Sequence, residues 1–123
     1  MGDTPATTNG LEITVDHAEG GTLVRLNGRV DIYSSPVLRD RLIALLGGRS
    51  PQPVEVDLAN ASYVDASGIA TLVEGLRIAR NRQTKLCLKG LQGRMFHLFE
   101  VAGIQELFAR NGCGSTSSPP KGF

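Results

Sequence analysis

VEVDLANASYVDASGIATLVEGL, residues 54 to 76, changes periodicity partway along. The run VEVDL (54–58) reads as a strand. From about Ala66, Ile69, Leu72, Val73, Leu76 and Ala79 recur at helical spacing, with Thr71, Glu74, Arg77 and Arg80 off the stripe. Between them lies a loop, Ala59 to Asp65, that delivers an acid and a hydroxyl, Asp65 and Ser67, to the helix start. A strand that feeds a helix in this way is the unit of an α/β fold.

Working outward, the same alternation of types continues. KLCLK (85–89) is a further strand, and GRMFHLFEVAGIQELF (93–108) is apolar nearly all round, as expected of a buried third helix ended by Gly103 and followed by a short closing element through Phe108. Upstream, Ser34 or Ser35 caps a helix with Pro36 in its first turn and Leu38, Leu42, Leu45 and Leu46 on one side; Gly47 and Gly48 stop it. Before that, Leu11, Ile13 and Val15 alternate with polar residues, and after a turn at Gly20–Gly21 the run TLVRLNGRV (22–30) completes a hairpin. Strand-helix-strand units favour parallel pairs joined by right-handed crossovers. The fold class expected is therefore α/β: one domain over residues 11–111, with a mixed sheet of four or five strands and helices mainly on one face. Residues 1–10 and the Gly/Ser/Pro-rich residues 112–123 read as flexible tails.

Composition narrows the function. A chain of 123 residues with 41% hydrophobic content supports one core, and 13 basic against 12 acidic residues leave no basic stripe to track a phosphate backbone, so nucleic acid is not expected as a partner. No run reaches the roughly 18 apolar residues of a membrane span, and MGDTPATTNG lacks the regions of a secretory signal. Gly2 suggests a lipid site, but Ala6 stands where that motif wants Ser or Thr. A cytoplasmic protein with no direct membrane insertion is expected. Cys87 reads as a small buried hydrophobe and Cys113 as an exposed thiol in the tail; nothing in the sequence fixes the distance between them.

The carboxyl edge of the parallel strands is where open α/β sheets place ligands, and both the Gly28–Asp31 and the Ala59–Asp65 exits lie there. Asp31 and Ser67, 36 positions apart, are thereby expected to be neighbours. Ser67 fits two roles. It is placed to cap the helix, as Asp65 also is, and it is placed to accept a phosphate whose charge the helix N-terminus would tolerate. Gly68, which a helix start does not need, lets another backbone come close. Asp31 fits a turn or capping acid. His17 in a hairpin turn and His97 in an apolar helix are poorly placed for catalysis, and no phosphate loop, dinucleotide fingerprint, nucleophile elbow or metal-ligand spacing is present, so neither an enzyme nor a bound cofactor or metal is expected.

With these residues in view, the chain resembles the STAS domain family, the group that includes bacterial anti-sigma factor antagonists, over roughly residues 11 to 108. The similarity is carried by VEVDLANASYVDASGIATL, with its Asp-x-Ser-Gly helix start, by LNGRVDIYSSPVLRDRL, and by RMFHLFEVAGIQELF. The resemblance implies an antagonist that, unphosphorylated, binds an anti-sigma factor that is also a serine kinase, and is released when that kinase phosphorylates it. It places the phosphoacceptor on Ser67, the loop acid on Asp65 and the second-strand acid on Asp31; Asp31, Ser34, Asp65, Gly68 and Ile69 are the residues expected to meet the partner. Ala66 stands where many members carry a second hydroxyl, which leaves Ser67 as the single acceptor there. Related domains also serve as constitutive subunits of ABC-type lipid transport systems or stress-sensing complexes, in which Ser67 would be a cap only. A small enzyme or nucleotide-binding protein using the same loops is the remaining rival. The sequence leaves open whether the chain is a monomer or a homodimer.

Overall fold

The computed structural model describes residues 6–113, arranged as β1 (Ala6–Thr8), β2 (Leu11–Ala18), β3 (Gly21–Val30), α1 (Ser35–Leu46), β4 (Val54–Val64), α2 (Ala66–Asn81), β5 (Leu86–Lys89), α3 (Gly93–Val101) and α4 (Ile104–Arg110). The strands form one mixed sheet in the order β1-β2-β3-β4-β5, antiparallel from β1 to β3 and parallel from β3 to β5. This is the α/β architecture expected, with five strands.

Period-two patterning assigns the faces. Leu11, Ile13 and Val15 on β2, Val24 and Leu26 on β3, Val54, Val56 and Leu58 on β4, and Leu86 and Leu88 on β5 are all buried against the helices. Leu38, Leu42 and Leu46 of α1 and Leu72, Leu76 and Ala79 of α2 fill that face, joined by Phe99, Ile104 and Phe108. The opposite face is wet and carries ion pairs between Arg25 and Asp16 and between Lys89 and Glu55. α1 and α2 are further joined by a two-pronged Arg39–Glu74 bridge with bonds of 2.8 and 2.9 Å.

Several local expectations are corrected. Ala6–Thr8, read as part of a flexible tail, is an edge strand paired with Leu11–Ile13. Its cause is Asn9-Gly10: both residues have positive φ, 53° and 85°, the turn that Asn-Gly adopts in tight hairpins. Ala59–Val64, read as a loop, continues β4, because the pairing with β3 runs on to Val30 and Val64 after two shifts of register. In α2 the buried stripe is turned toward Gly68, Thr71 and Gly75, and the Thr71 hydroxyl bonds the Ser67 carbonyl oxygen (2.9 Å). α3 is not buried all round: Phe99 alone is fully packed, while Leu98 and Val101 face solvent, the latter 70% exposed. Gly103 does separate α3 from α4, with φ of 76°.

The cysteines are the largest correction. Cys87 and Cys113 form a disulfide, their Cα atoms 5.5 Å apart, and Cys113 is buried, not an exposed thiol. α4 brings its C-terminal end alongside β5, and the Cys113 N–H donates to the Phe108 carbonyl, which turns the chain back toward the sheet. Of the tail expected at 112–123, the residues from 114 on lie outside those described, as do residues 1–5. The bond spans 26 positions and constrains the unfolded chain accordingly. Reduction, or Cys113→Ser, is expected to lower unfolding stability by about 3 kcal/mol, read as a shift of the urea midpoint with and without reductant. An unchanged midpoint would mean that the two sulfurs are not joined in solution.

Candidate functional site

The parallel pair β3–β4 sends both of its exits to one edge of the sheet, where they become the starts of α1 and α2. α2 begins hard against that edge. A Cβ built on Gly68 would lie 2.7 Å from Val30 Cγ1, 2.8 Å from Val64 Cγ1 and 3.1 Å from the Val30 carbonyl oxygen, so only glycine permits the approach without displacement. The Asp65 N–H donates to the same Val30 oxygen (3.0 Å), stitching the helix entry to the end of β3.

Asp65 is the cap of α2. Its Oδ1 accepts from the N–H groups of Ser67 (2.9 Å) and Gly68 (3.1 Å), two of the donors that a helix start leaves unpaired. The same oxygen accepts from the Ser67 hydroxyl at 2.5 Å. Ser67 therefore sits in the first turn without capping it, half-buried, with its backbone N–H already satisfied. The Ser67 hydroxyl, followed by the N–H groups of Gly68, Ser67 and Ile32, holds the Asp65 carboxyl below the ordinary aspartate range against the opposing effect of burial.

Asp31 organises the turn that leads into α1. Burial pushes its carboxyl up, but the Tyr33 and Ser34 N–H groups (3.0 and 3.1 Å), with the Arg29 guanidinium, outweigh that and leave it lowered. Ser34 stands at the cap position with no capping bond from its own side chain; its buried hydroxyl instead accepts from the Asp31 N–H (3.0 Å) and donates to the Arg29 carbonyl (2.7 Å). Ser35 links the two helix starts. Its hydroxyl donates to the Asp31 carbonyl oxygen (2.6 Å) and lies 3.1 Å from the Ser67 hydroxyl oxygen.

Asp31 and Ser67 are thus neighbours through Ser35 and the Asp31 backbone, while the Asp31 carboxylate is taken up by its own turn. Among the residues expected to meet a partner, Asp31, Ser34 and Gly68 are buried and frame the site, and Asp65 and Ile69 are partly accessible. Pattern reading missed the exposed rim. Ile32 and Tyr33, 64% and 72% exposed, stand on the turn after β3, and Tyr63, at the end of β4, lies beneath the Arg29 guanidinium 5.3 Å from its ring centroid. The signal available was an Ile-Tyr pair next to a loop acid, away from either periodic stripe. Elsewhere, His17 contacts Thr22 (3.3 Å) in the β2–β3 hairpin and His97 is exposed on α3. Among the described residues no group of three or more His, Cys, Asp or Glu is placed to hold a metal, and no helix is long and apolar enough to cross a membrane.

Two carboxylates, two adjacent hydroxyls and the exposed Ile32, Tyr33 and Tyr63 thus lie together at the carboxyl edge of a small mixed sheet, a fold with known counterparts. A family model described as "Mlab, STAS domain" matches residues 13–109, and the chain belongs to this STAS family. The anti-sigma-B factor antagonist of Bacillus subtilis is 27% identical over 97 residues, covering 79% of this chain and 87% of that protein. The protein of the same name from Listeria monocytogenes is 31% identical over 80 residues, 65% of this chain and 69% of its own. Among solved structures, an anti-sigma factor antagonist from Mycobacterium paratuberculosis superposes with a TM-score of 0.72 at 16% identity, covering 84% of this chain and 86% of that one. The phosphorylated form of the Bacillus cell fate determinant SpoIIAA gives 0.65 at 14% identity, covering 89% and 91%.

The Asp65–Ser67 bond has a measurable signature. A carboxyl lowered by folding contributes stability above its unfolded pKa of about 4, and that contribution is lost as pH falls through the lower folded value. Ser67→Ala removes the largest lowering influence, so the Asp65 carboxyl carbon, followed by NMR, should titrate at higher pH in the variant, and acid unfolding should begin earlier. A titration that does not move would show that the hydroxyl does not bond Asp65.

Proposed function

We propose that this protein is an anti-sigma factor antagonist switched by phosphorylation at Ser67. With the Ser67 hydroxyl free, it binds an anti-sigma factor that is also a serine kinase; with Ser67 phosphorylated, it lets that partner go. The observation that carries this reading is that Asp65 caps α2, which leaves the Ser67 hydroxyl without a capping task in a half-exposed first turn.

The chemistry follows from the geometry. Phosphoryl transfer replaces the Ser67 Oγ–H with a group carrying about −1.5 to −2 charges, so Asp65 exchanges its closest donor for an anion. The α2 N-terminus softens that repulsion through its dipole, which allows modification without unfolding. What changes is the surface: a partner packed on Ile32, Tyr33 and Tyr63 and matched to two carboxylates meets a third, larger negative charge. Arg29 already pairs with Asp31, and Arg39 with Glu74, so neither stands free to neutralise it.

A constitutive subunit with the same fold would use Ser67 only as a cap, a task that Asp65 performs here. Intact-mass analysis of the chain from its native host, with mapping of the segment from Asp65 to Arg77, is expected to find a phosphate on Ser67 in part of the population and none in Ser67→Ala. The unmodified chain should hold its kinase partner, and the phosphorylated chain should lose it. Ser67 unmodified in growth and stress alike, with a partner still bound, would favour the constitutive subunit.

A further inference from the structure

We infer that Ser35 is a positioning residue that senses the state of Ser67 and passes it to the turn carrying Ile32 and Tyr33, an inference that rests on the switch reading of Ser67. The carrying observation is the 3.1 Å approach of the two hydroxyl oxygens across the helix starts.

Two hydroxyls bring two protons. The shortest bond of each takes one: Ser67 Oγ–H to Asp65 Oδ1 at 2.5 Å, and Ser35 Oγ–H to the Asp31 carbonyl oxygen at 2.6 Å. The contact between the hydroxyl oxygens is then left with no proton of its own. Either hydroxyl can donate across this 3.1 Å contact only by giving up its shorter bond. Ser35 is only 5% exposed, so its hydroxyl has little access to water and its proton goes to whichever nearby acceptor is strongest.

Phosphorylation changes that order. The Ser67 proton is gone, and in its place comes an ester with charged oxygens, which accept more strongly than a carbonyl. Rotation of the Ser35 hydroxyl toward the phosphate supplies a donor and takes one bond from the Asp31 carbonyl. The Ser35 N–H keeps its own bond to that carbonyl (2.8 Å), so α1 stays in place while the Asp31–Ser34 turn loses one restraint. Ile32 and Tyr33 stand on this turn, and the Ile32 N–H faces Asp65. The release signal thereby reaches the apolar rim as well as the charged centre.

The test installs phosphoserine at position 67 of the full chain by genetic code expansion, so its outcome does not depend on whether the host modifies Ser67. Phosphorus NMR then follows the second ionisation of the phosphate, and amide NMR follows Ile32 and Tyr33. A donor to the dianion lowers its pKa; Ser35→Ala should raise it by about half a unit or more, and Ser35→Thr, which keeps the hydroxyl, should titrate with the unsubstituted protein. The displacement of the Tyr33 amide on phosphorylation should shrink in Ser35→Ala. A phosphate that titrates identically in the unsubstituted and Ser35→Ala proteins overturns the inference, whatever happens to the melting temperature. So does a Ser35→Thr protein that titrates with Ser35→Ala.

Discussion

The close seating of the α2 N-terminus on the ends of β3 and β4 is the constraint on which the rest of the site depends. Gly68 permits it, since any side chain there would collide with Val30 and Val64. Once seated, the first turn of α2 has its position fixed by packed valines on one side and the Asp65–Val30 backbone bond on the other. Ser67 therefore projects from a packed helix turn, so on the proposed switch a kinase meets its acceptor in one geometry instead of having to order a loop first.

The same seating explains how the polar residues divide their tasks. Two helices start side by side: the Asp65 carboxylate caps α2, while the Asp31 carboxylate closes the turn ahead of α1 through the Tyr33 and Ser34 N–H groups. None of the three serines at these starts caps a helix with its side chain. Ser34 closes the Asp31 turn, Ser35 bridges the helices and Ser67 presents its hydroxyl. Both acids are held ionised by the bonds they receive, so the site is anionic at neutral pH before any modification.

Periodicity made the sheet and its buried face legible. Leu11, Ile13 and Val15, like Val54, Val56 and Leu58, can face only one way, and the parallel connections then bring the Asp31 and Asp65 exits to one edge. The Cys87–Cys113 bond was not legible, because 26 positions of intervening chain set no spatial distance until α3 and α4 fold back beside β5. The exposed side of α3 was missed for a different reason. A short apolar helix at the margin of a small domain has neighbours on one flank only, so Leu98 and Val101 are left outside by geometry despite their chemistry. Ile32 and Tyr33 escaped by the same route: a reading that assigns apolar residues to the core has no place for two that belong to a surface.

That surface combines two kinds of contact with different sensitivities. On the proposed function, burial of the exposed Ile32, Tyr33 and Tyr63 against a partner supplies affinity through apolar contact, as anchors do at interfaces generally. The Asp65–Ser67 pair supplies little area, but it lies where a partner must accommodate a fixed negative charge in partial isolation from water. On the proposed switch, a phosphate added there makes use of the anchors conditional, since the partner cannot cover the rim without also approaching the new charge. On that reading, truncating the rim weakens binding of the unmodified chain, whereas changing Ser67 alters the difference between the two states.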